Sequence, residues 1–124
     1  MTIVSVAAAT RLAYNLQVAV GLDQKLAQSV ADCLVTADRY GHRTHGLALL
    51  APYLNEAVSG GMKLAGEHRV LSDTPAAFHW SGDRLPGAHL LRLAIDELVQ
   101  RAAHHPVVTA SIAECFHIGA LQVY

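Results

Sequence analysis

Two short stretches carry residue types suited to proton transfer. The first is Gly41-His42-Arg43-Thr44-His45-Gly46, with two histidines and a hydroxyl between glycines. The second is Glu114-Cys115-Phe116-His117-Ile118-Gly119-Ala120, a histidine followed by two small residues. An imidazole changes charge near neutral pH, so each histidine is a candidate general acid or base. Small residues let a ligand approach the backbone closely. At a helix start, free backbone N–H groups would favour an anionic ligand, and the dipole would hold a nearby histidine neutral. The same residues also fit a plainly structural role, with Thr44 capping a helix and Gly119-Ala120 easing a strand-to-helix turn.

Other chemistries find less support. His42 and His45 are three apart, a spacing one helix face can offer to a metal, but no third ligand lies adjacent and no metal site is expected. Cys33 falls within an apolar helical stripe and reads as a reduced core thiol. Cys115 has no base that the sequence locates, so it is not taken as a nucleophile. No G-x-G-x-x-G follows a strand, so a Rossmann cofactor site is not expected.

The elements that must position these residues follow from periodicity. Ser5 caps a first helix with Ala9, Leu12, Ala13, Leu16 and Val20 on one face, closed by Gly21. Asp23 caps a second, with Leu26, Val30, Cys33, Leu34 and Ala37 as its stripe, ended by Gly41. A third begins near Thr44, with Leu47, Leu50, Leu54 and Val58 on one side, and ends at Gly60-Gly61. Short β-leaning runs, 68–71 and 76–80, flank a turn at 72–75. A fourth helix starts at Pro86, carries Leu90, Leu91, Ala94, Ile95, Leu98 and Ala102, and is broken at His104-His105-Pro106. Val107 to Ala113 reads as a buried strand. His117 to Tyr124 reads as the opening of another helix. The expected architecture is mixed α+β in one domain, 1–124: three helices, then short strands and a β-α-β unit. The unfinished last helix suggests a part of a longer chain, or a subunit whose core a partner completes.

Composition sets the outer bounds. The chain has 124 residues, 52% hydrophobic and 15% charged, enough for one domain with a real core. A net charge of -1 gives no footprint for nucleic acid. The apolar start, Met1 to Ala9, lacks the basic residues of a signal peptide, and no stretch reaches the roughly 20 apolar residues of a membrane span. A cytoplasmic location is expected. Eight histidines stand against nine lysines and arginines, which keeps proton transfer in view.

The two stretches, in this order, resemble motifs of the non-Rossmann malate/L-lactate dehydrogenase family, which includes ureidoglycolate dehydrogenase, diketogulonate reductase and Δ1-piperideine-2-carboxylate reductase. The first motif reads roughly G-H-x-S-H-G, followed by a helix bearing an arginine and then a tyrosine, and Tyr53 stands at the tyrosine position. The second reads roughly N-S-x-H-x-G-A. Ala37-Asp38, Thr74-Pro75-Ala76 and the segment from Gly82-Asp83 to Gly87 are also similar to the family, so the resemblance runs from about Ser5 to Tyr124. It implies NAD- or NADP-dependent interconversion of small 2-hydroxy and 2-oxo acids. It also implies catalysis by His45 and His117, substrate contacts from Thr44 and Tyr53, and cofactor contacts from His117, Gly119 and Ala120. A homo-oligomer, specifically a homodimer, or a complementary chain is implied as partner. Two positions depart from the pattern. Leu49 stands where the family has its carboxylate-gripping arginine, and leucine cannot make that bidentate pair. Glu114-Cys115 replaces Asn-Ser and adds a negative charge. The alternative reading is a non-catalytic binding or assembly module derived from the family.

Overall fold

The structure, a computed structural model, describes residues 3–124. Met1 and Thr2, at the start of the apolar stretch considered above, lie outside the described residues. Four α-helices and a three-stranded sheet make up the expected mixed α/β fold, three helices first and then strands around the fourth. Helix α1 spans Val6–Ala19, with the Ser5 hydroxyl accepting the Ala8 N–H at 3.1 Å. Helix α2 spans Gln24–Arg39, with the Asp23 carboxylate accepting the Lys25 N–H at 3.0 Å. Helix α3 spans Leu50–Ser59 and ends at Gly60, whose left-handed φ of 86° a side chain would oppose.

Strand β1, Arg69–Thr74, pairs antiparallel with β2, Ala77–Ser81. Helix α4, Gly87–Ala102, then crosses back to β3, Thr109–Ala113, which lies parallel to β2. This is the expected β-α-β unit. The sheet order is β1-β2-β3. Phe78 and Trp80 pack against Ala94 of α4. Arg101 ties the end of α4 to the β1–β2 turn, bonding Asp73 and Glu97 at 2.7 Å each and lying 4.8 Å over the Phe78 ring.

The main core is built on α2. Leu26, Val30, Cys33, Leu34 and Ala37 are all buried, as their spacing requires. Val30, Cys33 and Leu34 join Ala13, Leu50, Tyr53 and Ala88 in one cluster, which links three helices to the start of α4. No helix among the described residues is long and apolar enough to cross a membrane.

Several local expectations are corrected. On α1, Ala13 of the expected stripe is buried, but Leu12 and Leu16 are exposed and Gln17 is buried in their place, because the face on α2 is turned by one residue. Gln17 remains satisfied in part by donating to the Ala13 carbonyl at 3.0 Å. Val58 of the expected third stripe is 74% exposed, and Leu50, Tyr53 and Ala57 form the buried face of α3. The hairpin turns at 75–76, not 72–75, because Thr74 still pairs with Ala77. Strand β3 is not buried: Thr109, Ala110 and Ser111 are exposed, since it forms the sheet's edge. The last residues make only a 3₁₀ turn, Leu121–Val123, because Gly119 takes a φ of 78° and Ala120 is extended.

Candidate functional site

The first stretch does not open a long helix. It folds as two 3₁₀ turns, Arg43–His45 and Leu47–Leu49, with a break at Gly46. Asp38, near the end of α2, sets this geometry. Its carboxylate accepts the Leu47 N–H at 2.9 Å and so satisfies the second turn. The carboxylate also fills the space beside Gly46, where a Cβ would lie 2.0 Å from Asp38 Oδ1. Gly46→Ala is therefore expected to cost about 1–3 kcal/mol through overpacking. Urea unfolding checks this, and an unchanged midpoint would exclude the clash.

Three consequences follow for the sequence expectations. The third helix begins at Leu50, not Thr44, so Thr44 caps no helix. The helix-dipole argument for His42 and His45 lapses, because no long helix starts beside them. Leu49 and Arg43 lie in separate turns, so a single-helix angle does not relate them. Leu49 packs half-buried against the main core.

The second stretch leaves β3 through Glu114, which adopts a φ of 55°. Its carboxylate accepts the Ser81 hydroxyl at 2.9 Å, so the added charge has a neutral donor. The Phe116 N–H then donates to the Leu85 carbonyl at 2.9 Å. The chain crosses the start of α4 so closely that a Cβ at Gly87 would lie 2.4 Å from the Phe116 carbonyl oxygen. Further on, a Cβ at Gly119 would meet Cys33 Sγ at 2.7 Å. The Tyr124 hydroxyl donates to the Ile118 carbonyl, and Cys33 Sγ lies 3.4 Å from the same hydroxyl. Burial pushes the Tyr124 hydroxyl far above its ordinary range, so it keeps its proton as donor. The loop bearing His117 is thus held against α2 and α4.

These two loops bring His45 and His117 together. Their rings stack with centroids 6.0 Å apart and planes 24° from parallel. Thr44 Oγ1 lies 3.1 Å from His45 Nδ1. Tyr53, 5% exposed, reaches up from α3, and its hydroxyl lies 2.6 Å from His117 Nδ1. The Gly119 N–H donates to the same nitrogen at 3.1 Å. Beside the pair is a cleft of about 400 Å³, lined by His42, His45, Gly119, Ala120 and Gln122 among others. Of the residues proposed for the site from sequence, His45, Gly119 and Ala120 line this cleft, His117 stacks on His45, and Thr44 and Tyr53 lie within hydrogen-bond distance of the two rings. Sequence reasoning missed Cys33, Gly87 and Tyr124 as supports of the His117 loop, and no linear spacing signals them. Among the described residues, no three histidine, cysteine or acidic side chains gather as a metal site.

Electrostatics favours neutral imidazole at His117. Partial burial, and then the facing His45, lower its pKa below the ordinary 6.5. His89, away from the cleft beside Ser29, is lowered chiefly by burial. Above 6.5 both rings are neutral in the folded and unfolded chains, and stability is fully present. As pH falls below 6.5 the unfolded chain binds protons first, and stability is lost down through the folded values. The urea midpoint is therefore expected to fall between about pH 7.5 and pH 5.5. A midpoint that stays level over this span would contradict the depressed values.

The comparisons with known proteins bear on the family and the fold. Residues 4–124 match the malate/L-lactate dehydrogenase family. Hydroxycarboxylate dehydrogenase B of Escherichia coli is 25% identical over 101 residues, covering 82% of this chain and 28% of that protein. L-lactate dehydrogenase of Cupriavidus necator is 24% identical over 121 residues, covering 98% of this chain and 35% of that protein. The solved structure of malate dehydrogenase from Pyrococcus horikoshii superposes with a TM-score of 0.90 at 24% identity, over 95% of this chain and 34% of that one. The chain spans about a third of the length of the relatives it matches. With the match running over nearly all of its residues, the chain belongs to the malate/L-lactate dehydrogenase family.

Proposed function

We propose that this chain supplies the proton-transfer part of an NAD- or NADP-dependent oxidoreductase site for small 2-hydroxy and 2-oxo acids. The observation that carries the reading is the stacked His45–His117 pair, 6.0 Å apart, beside a cleft that His45 lines. Oxidising a 2-hydroxy acid breaks its C–H and O–H bonds and forms a carbonyl. The hydroxyl proton needs an acceptor within hydrogen-bond reach as the hydride departs. His45 is free to take it, since its Nδ1 meets only the Thr44 hydroxyl. His117 Nδ1 is already occupied, so its Nε2 edge serves the substrate oxygen as a hydrogen-bond donor.

The cleft suits the nicotinamide end of the cofactor. Its volume falls in the range of small-ligand sites. No lysine or arginine lines it, so the phosphates would find no cation there. His117, Gly119 and Ala120 would hold the nicotinamide end. When bound, that group supplies the hydride acceptor or donor.

The test mixes the chain with NADH or NADPH and a panel of 2-oxo acids, with and without a polypeptide supplying the remaining family length. Reductant consumption in the completed assembly is the expected result. No consumption with any acid would overturn the reading. A cytoplasmic location, homo-oligomerisation and completion by a second chain belong to the same proposal. A second reading, a non-catalytic assembly module, is favoured by Leu121, 66% exposed beside the cleft. It requires self-association, and light scattering that shows a monomer at all concentrations would exclude it.

A further inference from the structure

The geometry points to Tyr53 as a positioning residue that, with the Gly119 N–H, fixes His117 as the Nε2–H tautomer and gives the two histidines different roles. The argument begins with a donor that has no choice. A backbone N–H can only donate, and the Gly119 N–H points at His117 Nδ1 from 3.1 Å. Nδ1 must therefore carry a lone pair rather than a proton. The Tyr53 hydroxyl, 2.6 Å from the same nitrogen, must donate as well. Burial raises the Tyr53 hydroxyl far above its ordinary range, so it holds its proton at neutral pH.

The proton of neutral His117 is thereby placed on Nε2. The groups that face this ring are Tyr53 from α3 and His45 from the first 3₁₀ turn. Among the described residues no carboxylate bonds it. His117 is then a fixed N–H donor, and a second proton on Nδ1 would meet the Gly119 N–H. His45 has no such obligate donor, since a hydroxyl partner can donate or accept. Its ring can gain and lose a proton without breaking a backbone contact. The division of labour rests on the oxidoreductase reading, but the tautomer does not.

The test is nitrogen NMR of the histidine rings in the ligand-free chain near neutral pH. The expected spectrum shows His117 Nε2 protonated and Nδ1 as a hydrogen-bonded acceptor. In Tyr53→Phe, the Nδ1 resonance is expected to move toward the unbonded position, and the Nδ1–H form to gain population several-fold. Phe116→Leu is the control. It removes the ring that meets Tyr53 edge-on at 5.1 Å but keeps both donor groups, the Tyr53 hydroxyl and the Gly119 N–H. A purely structural role for Tyr53 predicts equal effects from both variants. A wild-type spectrum with the proton on Nδ1 overturns the proposal without any variant. An unchanged His117 spectrum in folded Tyr53→Phe overturns the role of Tyr53. No substrate or cofactor is present, so failure here is distinguishable from failure of the activity assay.

Discussion

His45→Gln is expected to lower turnover by about 10²–10⁴ in an enzyme assembled from this chain and a polypeptide supplying the remaining family length. Glutamine keeps hydrogen-bonding capacity but cannot exchange a proton near pH 7. Substrate affinity should change far less than the rate, because the lost interaction matters chiefly in the transition state. His117→Gln should behave differently. It removes a fixed donor rather than the proton acceptor, so its cost falls on transition-state charge. The check is steady-state kinetics of both variants with one 2-oxo acid. Near-normal rates in His45→Gln would remove His45 from the chemistry.

The second large effect concerns stability. Leu34→Ala is expected to destabilise the chain by about 2–5 kcal/mol. Leu34 is 1% exposed and lies in the cluster that contains Cys33, Leu50 and Tyr53. Alanine removes the transfer energy of the lost carbons and leaves a cavity between α2 and its neighbours. Domains of this size have only about 5–15 kcal/mol of stability, so the loss is a large share. The same cluster carries Tyr53 beneath His117, so the site should loosen before the fold melts. Urea unfolding gives the free energy, and His117 line broadening reports the site. A loss well under 1 kcal/mol would mean that the cluster is not the foundation of the cleft.

How much of this was legible in the sequence depended on the range of the interactions. The α2 stripe was fully legible, because a helix buried along one face repeats its apolar residues at a spacing that nothing else produces. The β-α-β unit was legible from the change of period around Pro86. The Gly41 to Gly46 loop was not. Its two turns depend on Asp38 accepting the Leu47 N–H, a side-chain-to-backbone bond across nine residues. The exposed face of α1 was misjudged because Leu12 and Leu16 look like core in a period count, while Gln17 does not. Strand β3 was misjudged because β-branched composition does not distinguish the edge of a sheet from its centre.

The site shows the same division. The two histidines were legible as residue types in family-like motifs. Their meeting was expected from the resemblance alone, and the packing that produces it was not legible, since it depends on Gly87 admitting the His117 loop over α4 and on Cys33 lying beneath Gly119. Tyr53 was legible as part of the motif pattern. Its contact with His117 Nδ1 needs the three-dimensional path of both loops.

The central claim is that His45 and His117 meet beside one cleft, where His45 disfavours a charge on His117. Titration of the His117 ring by NMR, in the wild-type chain and in His45→Gln, tests it most directly. The account predicts that the His117 midpoint rises when the His45 ring is removed. A midpoint that stays fixed would contradict it.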